Sequence, residues 1–137
     1  MKLEFIPFKR IGKFKFKDRI SLVIKDLNYE YLDKDQSGYE SFILNDLGVS
    51  LYVEDNLIES IACDQECYFK GINIIGMNFK DFLRKMKLVS SDKKEAYEMA
   101  NSKMQEVYEF DEIGLQVWVE DNLINTVIAM YFDTEDN

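Results

Sequence analysis

One segment of this 137-residue chain occurs twice. Residues 47–58 and 113–124 align at a constant offset of 66, and both contain the run Glu-Asp-Asn-Leu-Ile. A second, weaker match pairs residues 11–18 with residues 75–81. Because the two matches occur in the same order, we expect an ancestral duplication, with length changes between the copies falling in loops.

Each copy has the residue pattern of a short helix that leads into strands. Apolar residues at helical spacing follow residues 16–18 in the first copy and residues 79–81 in the second. A further helix is expected from Ser91 to about Lys103, with Ser91 as its N-cap. The strand segments then alternate apolar and polar residues, as half-buried strands do.

The repeated run Glu-Asp-Asn marks a hairpin turn in each copy. Residues 54–56 and 120–122 predict three-residue loops that end on an asparagine in the left-handed conformation. The register beyond the turn stays open, because either Leu57 with Ile61 or Ile58 with Ala62 could face inward.

These patterns predict an α+β fold. We expect two tandem helix-plus-β-hairpin repeats, at about 1–66 and 67–137, that form one antiparallel sheet with the helices packed on one face. The hydrophobic fraction of 47% is enough for a single domain that spans residues 1–137 and needs neither a disulfide nor a metal.

The absence of histidine argues against catalysis, since it removes the commonest acid–base group and the usual imidazole ligands. Residues 33–38 resemble the start of a calcium loop, but Leu44 stands where the bidentate Glu belongs. Cys63 and Cys67 lack the further donors of a closed zinc site. We therefore expect no enzyme activity, no cofactor and no metal.

The charge distribution bears on location and partners. The N-terminal residues are too interrupted by charges for a signal peptide, so we expect a cytoplasmic protein with reduced thiols. Residues 1–25 hold eight Lys/Arg and two acidic residues, whereas the remainder holds nine Lys/Arg and 24 acidic residues. An acidic body repels nucleic acid and anionic membranes and attracts basic proteins. Alternating lysine and phenylalanine in residues 13–17 fits a guarded edge strand or a nucleic-acid platform.

Tyr52 and Trp118 occupy the same position in the two copies. Alternation places them opposite the inward valines and leucines, on a face shared with Ser50 and Gln116. Large aromatics with a polar rim are typical of interface hot spots. Two interpretations remain: an exposed binding face, or burial of both rings beneath the helices or the other repeat.

Acidic residues stand beside both aromatics, and we assign them to partner binding as well. Glu54 and Asp55 in the first copy, with Glu120 and Asp121 in the second, would steer a basic partner toward the two rings.

The pattern as a whole resembles a largely uncharacterised family of small bacterial proteins. The features that carry the resemblance are Pro7, Ile11-Gly12, Phe42, Leu47-Gly48-Val49, Glu54-Asp55-Asn56, Gly71 to Gly76, and Ile113-Gly114-Leu115. The duplicated unit also resembles the tandem repeats of the β-lactamase-inhibitor-protein fold, in which a concave sheet grips another protein. Families of this appearance are similar to toxin-immunity proteins. The resemblance implies a cytoplasmic inhibitor that occludes a basic toxin or enzyme. The alternatives are a self-associating structural protein, such as a homodimer, and a carboxylate-based enzyme.

Overall fold

The computed structural model describes residues 2–88, 94–98 and 103–131. In chain order the elements are β1 (Phe5–Ile6), β2 (Arg10–Ile11), β3 (Phe14–Lys15), α1 (Ile20–Val23), β4 (Glu30–Leu32), β5 (Glu40–Leu44), β6 (Val49–Glu54), β7 (Leu57–Cys63), β8 (Tyr68–Phe69), β9 (Ile72–Asn73), α2 (Phe79–Met86), β10 (Lys94–Glu98), β11 (Met104–Phe110), β12 (Leu115–Glu120) and β13 (Leu123–Met130).

One large antiparallel sheet organises the described chain. Its eight strands run in the order β10-β11-β12-β13-β7-β6-β5-β4, so each half of the sequence supplies four consecutive strands and the halves meet at β13 and β7. Strands β1, β2 and β3 form a small three-stranded sheet, and β8 pairs with β9. The protein is thus mostly β in the described residues.

The register at the centre relates the two halves by a local two-fold axis. Ala62 pairs with Ile128, and these residues are separated by the repeat offset of 66. On either side, Cys63 pairs with Val127 and Ile61 pairs with Ala129. The offset of 66 relates Ile61 to Val127 and Cys63 to Ala129, so it interchanges these two pairs. An axis perpendicular to the sheet therefore passes between Ala62 and Ile128.

The two hairpin turns have the same backbone shape, but the predicted three-residue loop is wrong. The φ angles are 53° at Asp55 and 66° at Asn56, and 53° at Asp121 and 67° at Asn122. Two consecutive positive φ angles between paired strands define a two-residue type I′ turn, whose twist matches that of the flanking strands. Asn and Asp adopt this conformation at low cost because their short polar side chains bond locally.

A β-bulge behind each turn decides the register. Val53 pairs with Ile58 but Tyr52 pairs with Ser60, which leaves Glu59 as the extra residue of the first hairpin. The second hairpin has the same irregularity between Trp118 and Val119. The residues that enter the core cluster are consequently Ile58 from one predicted inward set and Ile61 from the other, whereas Ala62 is buried outside that cluster. Neither predicted set was right, because alternation fails at a bulge.

The predicted helix-plus-hairpin units are wrong. Helix α1 has four residues and no side-chain cap, and its β-branched residues are weak helix formers. Helix α2 reaches eight residues because the Asn78 side chain accepts hydrogen bonds from the Lys80 and Asp81 amides at its start. Most of each half is strand, and the small sheets are extra elements that helix-plus-hairpin units do not include.

The helix predicted from Ser91 is also wrong where the structure describes it. Lys94–Glu98 form strand β10, which pairs with β11 at one edge of the large sheet. Ser91 itself lies outside the described residues.

The weaker sequence match is displaced in the structure. The Lys17 amide donates to the Ile58 carbonyl at 2.8 Å, and the Gly76 amide donates to the Ile124 carbonyl at 2.7 Å. Ile58 and Ile124 are related by the repeat offset, so Lys17 corresponds to Gly76 and not to Lys80.

The hydrophobic core lies on one face of the large sheet. The small sheets and both helices contribute to a single buried cluster with alternate residues of the large strands. For example, Phe79 of α2 stacks on Tyr108 with ring centroids 4.3 Å apart, and Phe82 meets Phe110 edge-on at 5.9 Å. The opposite face of the sheet, called the open face below, is left outside this cluster.

Candidate binding face

The open face is traced by strand pairing. Residues directly opposite each other in an antiparallel sheet share a face. Pairing through Ala62 and Ile128 defines a central row across seven strands: Glu30, Ile43, Ser50, Ala62, Ile128, Gln116 and Glu109.

Burial separates this face from the core. Ala62 and Val107 are buried, yet neither belongs to the core cluster. Ser50, Gln116 and Ile128 are half-buried, as expected for a sheet surface that has side-chain neighbours but is not covered by a layer of the described residues. Within the part of the chain that the structure describes, the helices and small sheets pack their core residues against the other face.

Tyr52 and Trp118 both lie on the open face and are half-buried. Tyr52 pairs with Ser60, one row to one side of the central row, and Trp118 pairs with Thr126, one row to the other side. The two-fold axis relates their positions. With strands about 4.8 Å apart and residues about 3.4 Å apart, their backbones are separated by roughly 20 Å. The interpretation in which the helices cover both rings is wrong, because both helices lie on the core face.

Both aromatic side chains lean toward the central row. The Trp118 Nε1–H donates to Gln116 Oε1 at 2.8 Å. Burial, followed by the charges of Asp35 and Asp64, raises the pKa of the Tyr52 phenol, while a hydrogen bond with Ser50 opposes the rise. Ser50 and Gln116 are equivalent residues of the row, so each ring is anchored two residues back along its own strand. The apolar surface of each ring stays partly exposed.

The predicted acidic residues lie at the two hairpin turns. Glu54, Asp55 and Asp121 are exposed, whereas Glu120 is half-buried and accepts from Gln105 Nε2 at 3.2 Å. Because β7 and β13 are antiparallel, the two turns point in opposite directions, on the order of 40 Å apart. The structure therefore does not gather these four residues into one site. Each pair accompanies its own aromatic ring.

Apolar residues beside and between the two rings were missed from the sequence. Ile43, Ile128 and Met130 are half-buried on the open face, and Met130 pairs with Ser60 beside Tyr52. A signal was present, because residues 127–130 are all apolar, and an uninterrupted apolar run is typical of a strand in contact on both faces.

The nucleic-acid alternative loses its structural basis. Phe14 and Phe16 are buried in the core cluster, so they offer no stacking surface to bases. Strand β3 is instead the edge of the small sheet, with exposed Lys13 and Lys15 flanking Phe14.

The loop and the cysteines singled out in the sequence are held by interactions within the protein. Asp35 accepts from the Ser37 amide at 2.8 Å and from the Ser37 hydroxyl, and these bonds lower the pKa of its carboxyl. Cys63 and Cys67 are free and completely buried. Hydrogen bonding with Cys67, together with burial, raises the pKa of the Cys63 thiol, so it is poorly suited to nucleophilic chemistry.

Among the described residues, no helix has the length and apolar composition that crossing a membrane requires.

Comparison with known proteins gives little beyond this geometry. No protein-family model and no curated protein matches the chain. A cysteine-rich secretory protein of Staphylococcus aureus has a similar structure, with a TM-score of 0.48 and 14% identical residues. The match covers 96% of this chain and 50% of the other, so this chain spans about half of that protein's length.

Proposed function

We propose that the protein binds a basic protein through the open face of its large sheet. The observation that carries the proposal is the pair of half-exposed aromatic rings, Tyr52 and Trp118, at two-fold-related positions on either side of the central row. Aromatic residues with a polar surround dominate the energetics of protein interfaces. In this proposal the rings anchor the partner, and no catalytic step is involved.

The charge of the face supports a basic partner. Its described residues include Glu30, Glu54, Glu109 and Glu120, against the single cation Lys103. The whole chain carries a formal charge of −9. Such a surface accelerates association with a cationic protein and repels a second copy of itself. This asymmetry of charge favours a heterologous complex over the self-associating structural protein that the sequence left as an alternative.

The dimensions of the face suit a complete interface. Seven inter-strand spacings of about 4.8 Å make it roughly 34 Å wide, and its strands have three to eight residues, so that their mean length is about 20 Å. The resulting area of roughly 700 Å² is close to what one partner buries in a standard interface. A toxin or enzyme held in the cytoplasm by this face is the partner class that we propose. This partner class rests on the family resemblance, and the cytoplasmic location is carried over as an expectation from the sequence.

Trp118 provides a direct test, because it is the only tryptophan of the chain. Proteins retained from an extract of the source cell by immobilised wild-type protein would be titrated into the free protein. A partner at the open face should shift the emission of Trp118 to shorter wavelength and protect it from acrylamide. Affinity should fall as salt screens the charges. Trp118→Ala should cost at least about 2 kcal/mol of binding free energy.

Tyr29→Ala is the matched control. Tyr29 is exposed but packs on Phe42, a residue of the core face, with ring centroids 5.5 Å apart. The double variant Tyr52→Ala, Trp118→Ala should lose the partner while Tyr29→Ala keeps it. Retention of the same partner by the double variant with unchanged affinity contradicts the proposal. A stable homodimer, detected by light scattering and burying Trp118, would favour the self-association hypothesis over this proposal.

A further inference from the structure

The two halves differ at one pair of equivalent positions with unusual backbone. Lys17 and Gly76 make the same hydrogen bond to the strand that follows each hairpin turn, and both have positive φ, 70° and 88°. One position carries a long cationic side chain, and the other carries none. The symmetry of the backbone therefore allows each site to be interpreted from the other.

In the first half, the lysine side chain fills the corner beside the β-bulge. The Lys17 ammonium forms an ion pair with Glu59, the extra residue of the bulge. It also lies 5.1 Å from the centre of the Tyr131 ring. Carboxylate and aromatic face together make a cation site that the chain occupies itself.

In the second half, the equivalent corner is an open cavity of about 330 Å³. Gly76 and Asn125 line it, and they correspond to Lys17 and Glu59. A side-chain carbon added to Gly76 would meet no atom within 4 Å. No described residue of the second half therefore takes the space that the Lys17 side chain takes in the first.

Anionic groups surround this cavity. Asp64, Glu120 and Asp121 contribute to its lining, together with the exposed apolar side chain of Leu123. Lys103 Nζ lies 3.4 Å from an Asp121 oxygen and 4.0 Å from a Glu120 oxygen. Three carboxylates thus face one ammonium in the described surroundings. An apolar wall with a net negative rim suits the methylene chain and charged head of a lysine.

The cavity adjoins the open face. Glu120 follows Trp118 by two residues on β12, so both side chains project from the same side of the sheet. Asp64 directly follows β7, whose last residue Cys63 pairs with Val127. A protein seated on Trp118 would have this cavity within reach of its side chains.

We propose that this cavity is a docking pocket for a lysine side chain of the partner protein, in the position that Lys17 fills in the other half. The proposal rests on the binding function assigned to the open face, and it names the chemistry that recognises the partner. Binding proceeds without any covalent step.

Gly76→Lys tests the pocket by filling it from within. The variant should fold, because Lys17 already shows a lysine in this backbone conformation and no atom obstructs the added side chain. Gly71→Lys is the matched control: its φ is 81°, an added carbon there also meets nothing within 4 Å, and the charge change is the same.

The probe is Nα-acetyl-lysine methylamide, followed by amide chemical shifts in ¹⁵N-labelled protein, with the norleucine analogue as uncharged reference. We expect saturable shifts at Gly76, Leu123 and Asn125 with the lysine probe and none with norleucine. Gly76→Lys should weaken this binding by at least about tenfold, whereas Gly71→Lys should keep it within about twofold. Absence of saturable shifts at these amides, or equal binding by both variants, overturns the pocket.

The two proposals fail separately. If a partner protein is lost by Trp118→Ala but retained equally by Gly76→Lys and Gly71→Lys, the lysine pocket is wrong and the open-face function stands. If the partner is retained by the double variant of Tyr52 and Trp118, the open-face function is wrong, whatever the lysine probe shows.

Discussion

The two central hairpins of the large sheet, β6–β7 and β12–β13, have matching backbones and unequal surfaces. Their type I′ turns agree to within about 1° in φ. In both hairpins the pairing register shifts at a β-bulge directly after the outward aromatic residue. Yet the corner beside the bulge is filled by Lys17 in one half and left as a cavity at Gly76 in the other.

The difference shows which positions the fold constrains. Ile58 and Ile124, one residue past the start of β7 and β13, are completely buried in both halves. By contrast, Glu59 is replaced by Asn125 at the bulge. Residues that hold the turn and core keep their chemistry, while residues at the bulge are free to diverge. The matching backbones therefore carry different side chains at the two corners.

The largest expected effect tests the equality of the two frameworks. Ile58→Ala and Ile124→Ala each delete a completely buried side chain next to a turn. Each should lower the free energy of unfolding by about 2–5 kcal/mol, and the two costs should agree within about 1 kcal/mol because the surroundings are equivalent. Urea denaturation measures both.

Leu22→Ala is the control for that pair, since Leu22 is 72% exposed and its truncation should cost no more than about 0.5 kcal/mol. A cost at Ile124 less than half of that at Ile58 would show that the halves are packed differently, and the equality of the frameworks would then be limited to the backbone.

The next effect concerns the turns. Asn56→Ala and Asn122→Ala place a side chain without local hydrogen-bonding capacity at φ angles of 66° and 67°. Each should destabilise the protein by about 1–2 kcal/mol. The glycine variants at the same positions should lose much less, because glycine adopts positive φ without strain. Equal losses for alanine and glycine would contradict the turn assignment.

The sequence predicted the parts of this fold that depend on local pattern. The alternation in residues 49–53 and 115–119 places the aromatics on the correct face, and the repeated Glu-Asp-Asn run marks both turns. It could not predict the bulges, because an extra residue in one strand is set by the pairing with its neighbour. The loop length and the inward set were wrong for this reason.

The lengths of the helices were overestimated because the spacing of apolar residues does not show where a helix ends. Ile20, Val23, Ile24 and Leu27 have helical spacing, but only Ile20–Val23 are helical, and Asp26 has a φ of 69°. The apolar residues beyond the helix are needed by the core and are supplied by irregular chain.

The cavity beside Trp118 was invisible in the sequence. Gly76 was aligned with Gly12 and Lys17 with Lys80, and only the hydrogen bonds to Ile124 and Ile58 show the true correspondence. Positions that match by residue type can thus differ from positions that match in space. Asp64 was also missed from the sequence. It lines the cavity because it directly follows the last residue of β7.

A smaller effect sharpens the contrast between the two corners. Lys17→Met removes the ion pair with Glu59 while keeping most of the apolar side chain. Because the Lys17 side chain is 42% exposed, the loss of stability should be only about 0–1 kcal/mol and should shrink as salt increases. Lys15→Met, two residues earlier at the end of β3 and also exposed, is the control. A large loss of stability that salt does not change would mean that Lys17 stabilises the fold by more than its ion pair with Glu59.

The smallest effect distinguishes the two aromatic residues, since Tyr52 can ionise and Trp118 cannot. Burial, with the charges of Asp35 and Asp64, raises the pKa of Tyr52 above its ordinary value near 10. A raised pKa favours the neutral phenol in the folded protein, so its contribution to stability is complete below about pH 10 and is lost as the pH rises through the raised pKa. Tyr52→Phe should therefore lose stability less steeply than the wild type above about pH 10, as measured by unfolding at a series of pH values. Asp64→Asn should move the ionisation of Tyr52 slightly toward lower pH, because it removes one of the neighbouring charges. Identical pH dependence of wild type and Tyr52→Phe would contradict the partial burial of the phenol on the open face.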